Sequence, residues 1–209
     1  SDNEQLDGYE NEEHYLTLRN LRPEDYADIK TIMDRVYTDI GGAWSRKEFL
    51  TQINRFPEGQ ICVEDNGQVV AAAFAVIVDY EDFGDQHTYE EVIAGARFTT
   101  HDPNGDVLYG VDIFVHPDYR DMRLGRRLYD ARKELCRRLN LRAIIAGGRI
   151  PGYAAYADDV SPHEYIELVR RREAYDPILT FQLANDFQVK RVLKGYLPED
   201  RQSRGYATL

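Results

Sequence analysis

The feature that most constrains this chain is the segment Val111-Asp112-Ile113-Phe114-Val115-His116-Pro117-Asp118-Tyr119-Arg120-Asp121-Met122-Arg123-Leu124-Gly125-Arg126-Arg127-Leu128, in which a β-prone run meets a proline and turns into a helix. From Leu124 onward the apolar residues Leu124, Leu128, Ala131, Leu135 and Leu139 recur at helical spacing, with arginines, Lys133 and acids covering the other face. Such a turn presents unpaired backbone amides. A helix N-terminus adds about half a positive charge from its macrodipole, which makes it a ready site for a pyrophosphate. Arg120, Arg123, Arg126 and Arg127 add further charge there. The short apolar run Arg142-Ala143-Ile144-Ile145-Ala146, bounded by Gly147-Gly148, then predicts a central strand parallel to its predecessor through the helix crossover.

The remaining elements follow from periodicity and caps. Residues 15–21 alternate as a strand, and Arg22-Pro23-Glu24-Asp25 opens a helix that turns Tyr26, Ile29, Ile32, Met33 and Val36 inward, ending near Gly41-Gly42. Ser45-Arg46-Lys47-Glu48 is a capping box before Phe49, Leu50 and Ile53, so a second helix starts there. Residues 60–64 and 68–79 are β-prone and joined by Asn66-Gly67, a strong hairpin signal. Residues 80–91 break this pattern and predict a long loop, after which 92–99 resume strand character, 103–106 turn, and 107–115 form a buried strand. Ser161-Pro162-His163-Glu164 caps a helix expected to reach about Tyr175; a short apolar segment spans 178–184, and 187–196 alternate enough for a last strand. The expected organisation is an acidic extension over 1–13, one domain over 14–197, and a polar tail or linker over 198–209.

Charge and composition remove several classes. A net charge of −11 argues against general nucleic-acid binding, which needs clustered Lys and Arg for phosphates. No apolar run approaches the ~20 residues of a membrane-spanning helix, so no membrane partner is expected. The acidic start has neither the basic nor the apolar region of a secretory signal, and the cytoplasm is the expected location. Cys62 and Cys136 lie in a predicted strand and helix without metal-type spacing; two buried free thiols are expected, with a disulfide left open. His14, His87, His101, His116 and His163 show no ligand spacing either, so no metal is expected.

On these residues the chain resembles the GNAT acyltransferases. Their acetyl-CoA motif is Arg or Gln, two residues, Gly, one residue, then Gly or Ala; Arg120 and Gly125 match it, as do the strand and the Val115-His116-Pro117 lead-in, and the element order agrees over about residues 14–197. Arg123 departs from the pattern, standing where the family has its first glycine, and an L-residue there is expected to keep φ negative. The resemblance implies an α/β fold with a mixed, mostly antiparallel sheet, a splayed parallel pair and helices on both faces. It implies acetyl-CoA as co-substrate, held by Ile113, Phe114 and Val115, by the loop Arg120, Asp121, Met122, Arg123, Leu124, Gly125 and Arg126, and by Asn185. The reaction would be direct acetyl transfer to a primary amine through a tetrahedral intermediate, with a backbone amide near Ile113 stabilising the oxyanion. A small-molecule or peptide amine is then the acceptor, and a homodimer is carried as a further partner. Residues 161–174 and 195–206 also resemble the acetyltransferase half of proteins that continue into a carbon-nitrogen hydrolase domain.

The attacking amine must lose a proton, so a base is needed. The family often places Glu early in this strand, where Tyr109 stands here, and its usual Tyr before the final strand is replaced by the neighbourhood of Phe181 and Gln182. Asp112 is the carboxylate available in the strand, although strict alternation points it away from the face of Tyr109, Val111 and Ile113; a base and a structural acceptor are both open readings. Tyr153 is the candidate acid, with Tyr156 and Tyr175 as substitutes. The loop Gly147-Gly148-Arg149-Ile150-Pro151-Gly152-Tyr153 either lines the acceptor pocket or only turns the chain. Without base and acid, the rival function is a non-catalytic CoA-binding sensor or interaction module.

Overall fold

The computed structural model describes residues 13–38, 40, 42–83, 86–95 and 97–209, except for the side chain of Phe83. Its elements are β1 (Leu16–Asn20), α1 (Tyr26–Val36), α2 (Arg46–Arg55), β2 (Ile61–Asp65), β3 (Gln68–Val78), α3 (Tyr80–Phe83), α4 (Tyr89–Ile93), β4 (Val107–Val115), α5 (Leu124–Arg138), β5 (Ala143–Ala146), β6 (Gly148–Arg149), α6 (Pro162–Arg170), α7 (Leu179–Ala184), β7 (Val192–Leu193) and β8 (Ala207–Thr208). The first five strands form one sheet in sequence order, and β6, β8 and β7 form a second. Neighbours in the large sheet are antiparallel except β4 and β5, which run parallel. This is the mixed α/β fold expected above, with α1, α2 and α4 packed on one face and α5 on the other.

Two features of β4 position everything that follows. The β4–β5 ladder runs from Val107↔Ala143 to Gly110↔Ala146 and stops there, so the strands part beyond it. Against β3, Phe74 faces Asp112 but Ala75 faces Gly110, which leaves Val111 as the extra residue of a β-bulge. A bulge breaks alternation: Tyr109 and Val111 belong to the core under α1 and α4, Asp112 reaches Tyr37 and Tyr89 on that same side, and Ile113 and Val115 pack toward α5.

Several expectations are corrected. Residues 92–99 do not form a strand: the Thr88 hydroxyl accepts the Glu91 amide at 3.2 Å and starts α4, which ends at Ala94 in the left-handed region with φ 51°. α3 lies wholly, and α4 partly, within the stretch 80–91 expected to be a loop. The helix expected to reach Tyr175 stops at Arg170, and Arg172 has φ 62°. Only Val192–Leu193 of the expected last strand finds a ladder, and its partner is the chain's end. The segment 198–209 is therefore no tail in the structure: Asp200, Ser203, Ala207, Thr208 and Leu209 are buried, and β8 stands between β6 and β7. Hydrophobic spacing carried no trace of this, because the segment is held by polar pairs, a two-residue ladder and a few isolated apolar side chains, Tyr206, Ala207 and Leu209, with no helical or strand period. Both cysteines are free and buried, and burial pushes the Cys62 thiol up to about 12. Among the described residues no helix is long and apolar enough to cross a membrane, and no group of three or more His, Cys, Asp or Glu is placed to hold a metal.

Candidate active site

The loop after β4 is built by its own side chains. The His116 Nδ1 accepts the Asp118 amide at 3.1 Å and starts a 3-10 turn over Pro117–Met122, so His116 is a cap. The Tyr119 hydroxyl donates to Asp65 at 2.7 Å, and Asp65 also meets the His14 ring at 2.6 Å, which pins the turn to β2. Arg123 then takes φ 57°, ψ 31° and lets the chain reverse into α5. The expectation of a negative φ is corrected: the position keeps the conformation a glycine would hold, at a cost of roughly 1–2 kcal/mol for an L-residue. Arg120, Asp121, Arg123 and Arg126 are exposed, while Met122 and Leu124 pack beneath the loop. Gly125 is in the first turn of α5, and a Cβ there would stand 2.9 Å from the Phe181 ring. The result is a helix start ringed by free guanidinium groups and backed by apolar side chains, which suits a pyrophosphate.

Where β4 and β5 part lies a cavity of about 400 Å³. Its walls include Val111 and Asp112 from the bulge, Gly147 and Arg149 from beyond β5, Tyr37 after α1, and Tyr89 of α4. Tyr37 and Tyr89 donate their hydroxyls to the two oxygens of Asp112 at 2.9 and 2.7 Å. Burial outweighs these bonds and raises the Asp112 carboxyl to about 6, close to the range of a working base. Burial and the adjacent carboxylate push both tyrosines well above their ordinary values, so they stay protonated. Tyr196 also lines the cavity; its hydroxyl meets Tyr109 at 2.9 Å, and Tyr109 meets the His87 ring at 2.6 Å. Gly147 permits this closeness, since a Cβ there would sit 2.2 Å from the Tyr196 ring. Arg149 is paired with buried Asp200 at 2.8 Å, so its charge is already matched.

The expected site residues therefore divide. Asp112 is brought to the cavity, and the loop at 147–153 contributes Gly147 and Arg149. Tyr153 does not line it: its hydroxyl donates to the Val160 carbonyl at 2.8 Å, and its ring packs against Tyr165 and Tyr206. Tyr156 belongs to the same cluster, and Tyr175 is exposed. Asn185 is buried at the end of α7 with its amide donated to the Phe181 carbonyl at 2.9 Å, so its visible bond serves as a helix stop. The sequence reading missed Tyr37, Tyr89 and Tyr196, which arrive from three distant segments and carry no motif.

The sequence pattern of the Acetyltransferase (GNAT) family matches residues 26–157. The chain belongs to the GNAT acetyltransferase family. Acyl transfer from CoA to an amine is the general chemistry of that family. This GNAT chain is 39% identical over 94% of its length to Probable hydrolase YhcX of Bacillus subtilis (strain 168), and spans 38% of that relative. It is 32% identical over 93% of its length to Uncharacterized N-acetyltransferase YkwB of the same organism, covering 87% of it. Its fold is shared with the GphF GNAT-like decarboxylase in complex with isobutyryl-CoA, at 24% identity and a TM-score of 0.75, over 92% of this GNAT chain and 96% of that one.

Proposed function

We propose that the protein is an N-acyltransferase that takes its acyl group from acetyl-CoA or a related short acyl-CoA and passes it to a primary amine bound in the cavity. The observation that carries this reading is the bulge in β4, which turns the Asp112 carboxylate into the cavity at the point where β4 and β5 separate. Arg120, Arg123, Arg126 and the amides at the start of α5 would hold the pyrophosphate, and the β4 stretch Ile113 to Val115 would hold the pantetheine arm. Acyl-CoA supplies an activated carbonyl. Asp112 accepts the amine's proton while Tyr37 and Tyr89 keep its two oxygens in place, and no covalent adduct of the chain is needed.

GphF, whose structure contains isobutyryl-CoA, supports a CoA thioester and leaves the acyl group open between acetyl and larger chains. It also suggests the other reading, decarboxylation of a carboxyacyl-CoA. The cavity disfavours that substrate: Asp112, Glu48, Glu90 and Glu199 line it, and its one lining arginine, Arg149, is already paired, so another carboxylate meets net negative charge. The match to part of YhcX supports a parent protein in which this domain is joined to a hydrolase domain.

The test is calorimetric titration of acetyl-CoA and CoA into the wild type and Gly125→Glu, followed by a thiol-release screen over primary amines. Binding that the variant weakens at least about tenfold, ~1.4 kcal/mol, with amine-dependent CoA release, bears the proposal out. Binding without release for any amine favours a CoA sensor. No binding overturns the reading.

A further inference from the structure

Arg132 is the largest side chain sealed inside the molecule, with only 2% of its surface exposed. It rises from α5 to the sheet, and its Nη2 donates to the Phe74 carbonyl at 2.7 Å and the Asp112 carbonyl at 2.6 Å. Those two residues face each other at the bulge. Its Nη1 fills the space over Gly110, where a Cβ would come within 2.8 Å. Among the described residues no carboxylate is within salt-bridge distance, and its Nε has no hydrogen-bond partner. A buried cation without an ion-pair partner is expensive, and what it gains in return is the pair of carbonyls at the bulge, which an apolar side chain would leave without this donor.

We propose that Arg132 is a positioning residue for acyl transfer: its guanidinium clamps the two carbonyls at the β4 bulge and so holds the Asp112 side chain turned into the cavity. It also connects the acyl site to the helix whose start forms the CoA loop. The charged and titratable groups around Asp112 are Tyr37 after α1, Tyr89 of α4, Arg132 of α5, Arg149 of β6 and Tyr196, with Glu48, Glu90 and Glu199 on the walls of the same cavity. Against burial, the Asp112 carboxylate is favoured by the hydrogen bonds from Tyr89 and Tyr37 and then by the charges of Arg132 and Arg149, of which Arg149 is also paired with Asp200 and Arg132 has no carboxylate partner among the described residues.

The proposal rests on Asp112 as the proton acceptor, and the test separates the two. The Asp112 carboxyl is titrated by 13C NMR in the wild type, with Asp112→Asn identifying its resonance, and kcat and KM are followed against pH. Arg132→Met is expected to move the Asp112 titration and the acidic limb of kcat to higher pH, and to lower kcat by about 10- to 100-fold, the loss that small misplacements produce, with KM for acyl-CoA nearly unchanged. Arg132→Lys recovers part of kcat. Gly110→Ala, which displaces the guanidinium without removing it, shifts the titration the same way if Arg132→Met fails to fold. An unmoved Asp112 titration in folded Arg132→Met, or in Arg132→Lys and Gly110→Ala together, overturns the proposal. Full activity of Asp112→Asn instead overturns the base assignment, and the NMR readout still decides whether Arg132 sets the state of that carboxyl.

Discussion

Asp112 shows how one backbone irregularity converts an ordinary carboxylate into a base candidate. The side chain is half-buried, both oxygens accept tyrosine hydroxyls, and burial still leaves the carboxyl near 6. A base works only when deprotonated, so kcat should rise with pH through about 6 and level above it; a rate flat from pH 5 to 8 would remove Asp112 from the mechanism. Asp112→Asn should lower kcat by about 10²-fold or more while acyl-CoA titrates as before. The same shift has a stability consequence. Because the folded chain favours the neutral acid, the contribution of Asp112 is full below about pH 4, the unfolded value, and is lost as pH rises through about 6. Urea unfolding of Asp112→Asn should lack that fall. Arg123 makes the opposite kind of residue argument: with φ at 57° it holds a glycine's conformation. Arg123→Gly should raise stability by about 1 kcal/mol, seen as a higher urea midpoint, because strain relief exceeds the added freedom of the unfolded chain.

At the level of elements, the site depends on how helices are started and stopped. Ser45 and Glu48 close a reciprocal capping box at the start of α2, next to Trp44 and Glu48 on the cavity wall. Ser45→Ala should cost about 1 kcal/mol in thermal or urea unfolding and leave acyl-CoA binding unchanged; a loss of binding would show that the cap shapes the cavity directly. This capping box was legible because its residues are three positions apart. The equivalent hydroxyl cap at Thr88 was overlooked because the β-prone residues after it suggested a strand, whereas local hydrogen bonds at the helix start decided the outcome. The order strand, turn, helix over β4 and α5 was legible, since its proline, glycine and periodic leucines are all local signals. The bulge in β4 was not, because a bulge appears only in the register with β3, where Arg132 from the helix behind meets the two facing carbonyls.

Across the whole molecule, residues 198–209 support the site, with Glu199 on the cavity wall. Asp200 is buried and bonded to Arg149 at 2.8 Å, and β8 supplies the middle strand of the small sheet whose first strand is β6. Burial raises the Asp200 carboxyl, but hydrogen bonds from Arg149 and Ser203 outweigh it and hold the value low, so the pair stabilises the protein above about pH 4 and weakens as pH falls below that. Removal of residues 198–209 should abolish amine acylation and expose Arg149 uncompensated; a truncated chain with wild-type melting and turnover would return the segment to the status of a linker. Asp200→Asn should destabilise by about 3 kcal/mol, as breaking one side of a buried pair does. The sequence by itself determined β1 to β3, the first two helices, the βαβ crossover, the position of the anion-accepting turn and the family, because each is written in neighbouring residues or in a short period. Only the tertiary structure decided which face Asp112 occupies, which tyrosines hold it, that Tyr153 is remote from the cavity, and that the C-terminal segment closes the wall. Those depend on inter-strand register and on side chains brought together from distant positions, 75 apart for Tyr37 and Asp112, 23 for Tyr89 and Asp112 and 87 for Tyr109 and Tyr196, and no local pattern records such pairings.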